Sequence, residues 1–120
     1  VDDLVQWLGE QLDEDERILS EANTSPEIVT GIPRSYAAAP VALHIAAFAD
    51  PARVLREIDA KRRVLTEYVA AGDAMDRAAR DNDTAGYNTA RAERQVLGRV
   101  IRRDAAVYAD RPGFREEWRL

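Results

Sequence analysis

Apolar residues recur at intervals of three and four through most of this chain, the spacing of amphipathic helices rather than strands. The stretch from Asp50 to Gly72 shows it most clearly. Asp50 suits an N-cap, and Pro51 suits the first helical position, where a missing N–H costs nothing. Val54, Ile58, Leu65 and Val69 fall near one face, and Leu55 and Tyr68 widen it. Gly72 can adopt the left-handed conformation that ends helices, so a helix over 51–71 is predicted.

The same reasoning places two more long helices. Asp2 and Asp3 suit an N-terminal turn, and Leu4, Leu8, Leu12 and Leu19 form a stripe, with Val5 and Ile18 beside it. This predicts a helix over 2–21, with Trp7 sealing the stripe's edge or facing a partner. After Gly72, Asp73 is a candidate cap for a further segment through Met75 and Ala79, and 81–84 is a turn and capping cluster. The last long helix is predicted over 84–109. Tyr87, Ala90, Leu97, Ile101, Ala105 and Tyr108 lie on one side, with Val96, Val100 and Val107 extending it. Arg111, Pro112 and Gly113 stop it. Phe114 and Trp118 are four apart, which predicts a final turn packing as a lid over 111–120.

Between the first two long helices the pattern breaks. Residues 22–39 hold turn clusters around Pro26 and Pro33 and read as an ordered connection. A short helix over 40–49 follows, with Pro40 at its first position and Val41, Ile45 and Phe48 on one face. The fold class predicted is all-α: a small bundle of three main helices plus a short helix and a C-terminal turn.

Composition narrows the setting. A chain of 120 residues with 46% hydrophobic residues suits one domain with its own core. Cysteine is absent, so disulfides and thiolate zinc sites are excluded and a reducing compartment fits. No apolar run is long enough to span a bilayer, and the acids at positions 2 and 3 are opposite to a basic secretion leader, so a cytoplasmic location is expected. The formal charge is −5, unevenly spread: residues 1–30 carry nine acids against Arg17 alone, and residues 31–120 carry thirteen acids and sixteen bases. An acidic face on the first helix, partly paired with later arginines, accounts for this asymmetry. The sharper reading is an acidic surface that mimics DNA and competes for a basic partner.

Three stretches carry a family resemblance. His44 to Ala46 followed by Asp50 to Arg63 is one, and Tyr108 to Trp118 is the second. Asp2 to Val5 followed by Leu12 to Glu16 is the third. Together they resemble a family of small uncharacterised proteins of actinobacteria and their phages. The resemblance implies a source and a size class but no catalytic residues. The chain departs from the family pattern in 22–39, which is shorter, and at Ala47 to Ala49, where polar residues are common.

Candidate chemistry is sparse. His44, the only histidine, could be a base or a metal ligand, but no second His or Cys exists to share a metal. It reads instead, with Asp50, as a structural polar residue at a helix corner. Asp13 with Glu16, and Asp73 with Asp76, are three apart and could hold magnesium, as all-helical nucleotide hydrolases do. Glu57 and Glu67 do not complete the second pair that such a site needs. Lys61 to Arg63, Arg99, Arg102 and Arg103 could form a basic stripe for phosphate backbone, although interspersed acids argue against direct nucleic-acid binding. No nucleophilic triad, phosphate loop or dinucleotide fingerprint is present.

The reading is therefore a non-enzymatic accessory protein that acts on another protein, with no cofactor and no metal. A metal-dependent nucleotide hydrolase and a nucleic-acid-binding or DNA-mimicking protein are the alternatives. The expected interaction surface is the acidic face of the first helix, Asp13, Glu14 and Glu16, with Trp7 and Trp118 as exposed aromatic anchors. Homodimerisation is a further expectation, since small amphipathic domains often complete their burial by pairing.

Overall fold

The computed structural model describes residues 2–24 and 50–120, and the side chains of residues 2–20 and 50–120. The expected short helix at 40–49, the connection at 22–39 beyond Thr24, and His44 lie outside the described residues. Helix α1 spans Asp2–Thr24, α2 spans Pro51–Arg80 and α3 spans Thr84–Ala106. A short 3-10 turn, Glu116–Trp118, follows near the C-terminus. The described residues are all-α, with no strand among them.

The start of α2 follows the expected design. The Asp50 carboxylate accepts the Arg53 backbone N–H at 3.0 Å, and Pro51 occupies the first helical position. The end does not. Gly72 lies inside α2, which continues for a further eight residues, and Asp73 caps nothing. The stop comes at Asn82, whose φ of 53° takes the left-handed role expected of Gly72. The N–H of Asp83 reaches the carbonyl of Ala78 at 2.8 Å, and that of Asn82 reaches Ala79 at 3.3 Å. This pair of bonds is a Schellman closure with asparagine at the left-handed position. Asp83 then serves the next helix: its carboxylate accepts the Gly86 N–H at 2.9 Å. One residue thus closes α2 and opens α3.

The chain forms two compact units, one of residues 1–9 with 61–120 and one of residues 10–60. In the first, Leu4, Trp7 and Leu8 of α1, Leu65, Tyr68, Ala71 and Ala78 of α2, and Ala90, Ile101 and Ala105 of α3 are buried. Tyr108 and Trp118 complete this core. In the second, Leu12, Ile18, Leu19 and Ile58 are buried.

Three valines depart from the expected faces: Val69, Val96 and Val107 are at least half exposed. In α2 the buried positions 58, 65, 68, 71 and 78 define the inward stripe, and Val69 sits about 100° round the helix from Tyr68. In α3 the stripe runs through 90, 98, 101 and 105, which turns Val96 outward.

Candidate anion-binding groove

α2 and α3 enclose a groove of about 450 Å³. Its wall on α3 is made of Arg91, Arg94, Gln95, Gly98, Arg99 and Arg102, and Tyr68 and Met75 contribute from α2. The α3 positions step by three and one in alternation, so they form a single stripe over three turns. Four of the eight lining residues are arginines, and none is a carboxylate. Arg91, Arg99 and Arg102 form no ion pair among the described residues. Uncompensated guanidiniums converging on a concave surface are suited to a ligand with several negative charges, because each fork can grip an oxyanion with two N–H donors.

Arg94 is held in place. Its guanidinium lies 4.5 Å from the centroid of the Tyr68 ring, and its Nη2 donates to the Asp2 carboxylate at 3.2 Å. Its Nε is buried and has no hydrogen-bond partner among the described residues. Arg94 passes close to Gly72, where a Cβ would stand at ordinary contact distance, 3.4 Å from the Arg94 Nε. The Tyr68 phenol is pushed up from its usual value of 10.0, chiefly by burial and against the pull of Arg94, so it stays protonated at neutral pH. Arg94, Tyr68 and Met75 also line a second hollow of about 330 Å³, where Asp2, Asp73 and Asp76 stand with Val69 and Gly72. Arg94 is thus shared by a cationic groove and an acidic hollow.

The residues singled out from the sequence fall elsewhere. Trp7 and Trp118, expected to be exposed anchors, are 9% and 5% exposed. They pack on each other with centroids 5.5 Å apart and share Phe114, at 5.7 Å from Trp7 and 5.6 Å from Trp118. The Trp7 indole N–H donates to the Pro112 carbonyl at 3.1 Å. Burial of both rings is therefore a correction: the aromatic pair closes the C-terminal lid instead of lying open. The reason is that three large rings cover more apolar surface against one another than any of them would in water.

Of the acidic run, Asp13 and Glu14 are exposed, Glu16 is half-buried, and Asp15 is buried, at 4% exposure. Glu14 pairs with Arg17 at 2.6 Å. Asp50 acts as the cap already described. Asp73 and Asp76 share the acidic hollow, but no group of three or more His, Cys, Asp or Glu side chains placed to hold a metal ion occurs among the described residues. The expected basic stripe is divided. Arg99 and Arg102 enter the groove, while Lys61 sits over the Tyr108 ring at 5.4 Å and Arg62, Arg63 and Arg103 do not line it. Early acids do pair with later arginines, as Asp2 with Arg94 at 3.2 Å and Asp3 with Arg115 at 3.1 Å show.

Arg91, Arg94 and Gln95 were not singled out from the sequence, where Tyr68 only widens the apolar face of its helix. The signal was present as polar residues at 91, 94, 95, 99 and 102 on one helical stripe, a spacing that on its own also describes a solvated face. Only the wall supplied by α2 turns that stripe into a groove.

No helix among the described residues is long and apolar enough to cross a membrane. Neither the curated proteins nor the solved structures compared with the chain give a match. The model of a family of unknown function, DUF6221, matches residues 1–120. With its uncharacterised-family resemblance met over its whole length, the chain belongs to DUF6221.

Proposed function

We propose that this protein is a non-enzymatic binding module, an accessory protein whose arginine-lined groove takes an acidic segment of a partner protein. The observation that carries this reading is the groove's charge: four guanidiniums, no carboxylate among the described lining residues, and three of the four arginines without an ion pair among the described residues. A partner's Asp and Glu side chains would supply the missing counter-charges as charge-assisted hydrogen bonds. The actinobacterial and phage source implied by the family resemblance makes a bacterial host protein the natural class of partner.

The acidic hollow beside the groove favours a short acidic segment over a nucleic-acid backbone. Asp2, Asp73 and Asp76, in the hollow that shares Arg94 with the groove, would repel a uniformly charged polyanion, whereas a protein segment can place neutral or basic residues near them. The overall charge of −5 acts in the same direction.

The test is a titration with a fluorescently labelled oligoglutamate peptide, read by anisotropy at several salt concentrations. Saturable binding that weakens with salt is expected. Arg91→Glu with Arg99→Glu, both at exposed positions, should weaken it by at least about tenfold, since each lost charge-assisted bond is worth about 1.5–3 kcal/mol. Equal binding by the double variant, or tighter binding of duplex DNA than of the peptide at the same salt, would overturn the reading.

A further inference from the structure

Resting on that reading, we infer that the segment taken by the groove is an α-helix carrying acids at positions i, i+3, i+8 and i+11. The argument is one of spacing. Arg91, Arg94, Arg99 and Arg102 are separated along the α3 axis by about 4.5, 7.5 and 4.5 Å, at about 1.5 Å per residue. A second helix lying along the groove reproduces all three steps with the same residue intervals. An extended segment repeats its same-side residues about every 6.7 Å, which approaches the middle step and misses the outer two.

The floor supports the same occupant. Tyr68 and Met75 are seven residues apart on α2, two turns, and Gly98 places backbone rather than a side chain midway along the opposite wall. Apolar residues of an incoming helix at i+4 and i+7 would rest between the two pairs of arginines, over this floor. Methionine adapts its shape to such contacts. A groove between two packed helices is also the surface that a third helix covers in a bundle. Arg94 is already fixed by Tyr68 and Asp2, so one of the four charges is ordered before the partner arrives, which lowers the cost of binding.

The experiment uses the full chain and two synthetic peptides of one composition. In the first, glutamates stand at i, i+3, i+8 and i+11 with leucines at i+4 and i+7; in the second the same residues are scrambled. Anisotropy gives affinity, and circular dichroism of the mixture, less that of the free components, gives helix gained on binding. The first peptide should bind at least about tenfold more tightly than the scrambled one and gain helix as it binds. The preference should vanish in Arg91→Glu with Arg102→Glu, whose own helix content is checked on the free variant. Equal affinities, or tight binding without helix gain, would overturn the helical occupant while oligoglutamate binding left the groove reading standing. Failure of all three peptides to bind would overturn both.

Discussion

Replacing Trp118 with alanine should detach the C-terminal lid and cost about 3 kcal/mol. The indole is 5% exposed, touches Trp7 and Phe114, and lies under the Arg115 guanidinium, 5.2 Å from the ring. An aromatic of this size buries about 200 Å², worth about 5 kcal/mol at 25 cal/mol per Å². Part of that area is already covered in the unfolded chain, and part of the loss is returned as the freed lid regains backbone entropy. Trp→Ala changes in cores cost about 3–5 kcal/mol, and a terminal lid belongs at the lower end. The protein has only two tryptophans, so in this variant Trp7 is the sole indole reporter. Urea denaturation followed by fluorescence should show a lowered midpoint, and the native Trp7 emission should move to longer wavelength as the ring is uncovered. Trp118→Phe, which keeps a ring against Trp7, should recover most of the loss. A change below about 0.5 kcal/mol, the level of an ordinary surface substitution, together with unchanged Trp7 emission, would refute the account of the lid.

Further outcomes follow from single positions. Gly72→Ala should stabilise the protein by about 0.5–1 kcal/mol, because the residue is mid-helix and its new methyl would only graze Arg94 at 3.4 Å; a loss measured in a thermal melt would mean that the chain breaks there after all. Gly113→Ala should destabilise by about 2 kcal/mol, since its φ is 88° and a Cβ would press to 2.7 Å from the Trp7 indole nitrogen; an unaltered urea midpoint would contradict that placement. Asp83→Ala should cost about 1 kcal/mol by removing the α3 cap, and Asp83→Asn only a few tenths, which a pair of urea titrations can separate. Asp104→Asn should raise the melting temperature at neutral pH but not in strong acid. Burial raises the Asp104 carboxyl above its ordinary 3.8, against the pull of Lys61, so the folded state holds the proton more tightly than the unfolded one. Stability contributed by this group is therefore lost as pH rises from 3.8 through the raised value, and an Asn variant with the same pH profile as the parent would exclude the effect.

The helical class of this protein and several of its joints were legible in the residues alone. Apolar spacing of three and four identifies α1, α2 and α3, and short-range chemistry identifies Asp50 with Pro51 as the start of α2. Phe114 and Trp118, four apart after a Pro-Gly pair, announce the lid. These features depend on neighbours a few residues away, so their cause is written locally. What needed the tertiary structure were the choices between local options of similar energy. Gly72 can end a helix or sit within one, at a cost of about 1 kcal/mol. Packing of Ala71 and Ala78 into the core decides for continuity, and Asn82 takes the turn. Trp7 and Trp118 could have faced solvent or each other, and a meeting of positions 111 residues apart decides that. The arginines of α3 are a polar stripe in sequence and become a binding groove only where Tyr68 and Met75 of α2 stand opposite them. Charge is encoded residue by residue, whereas concavity and burial are properties of two surfaces brought together.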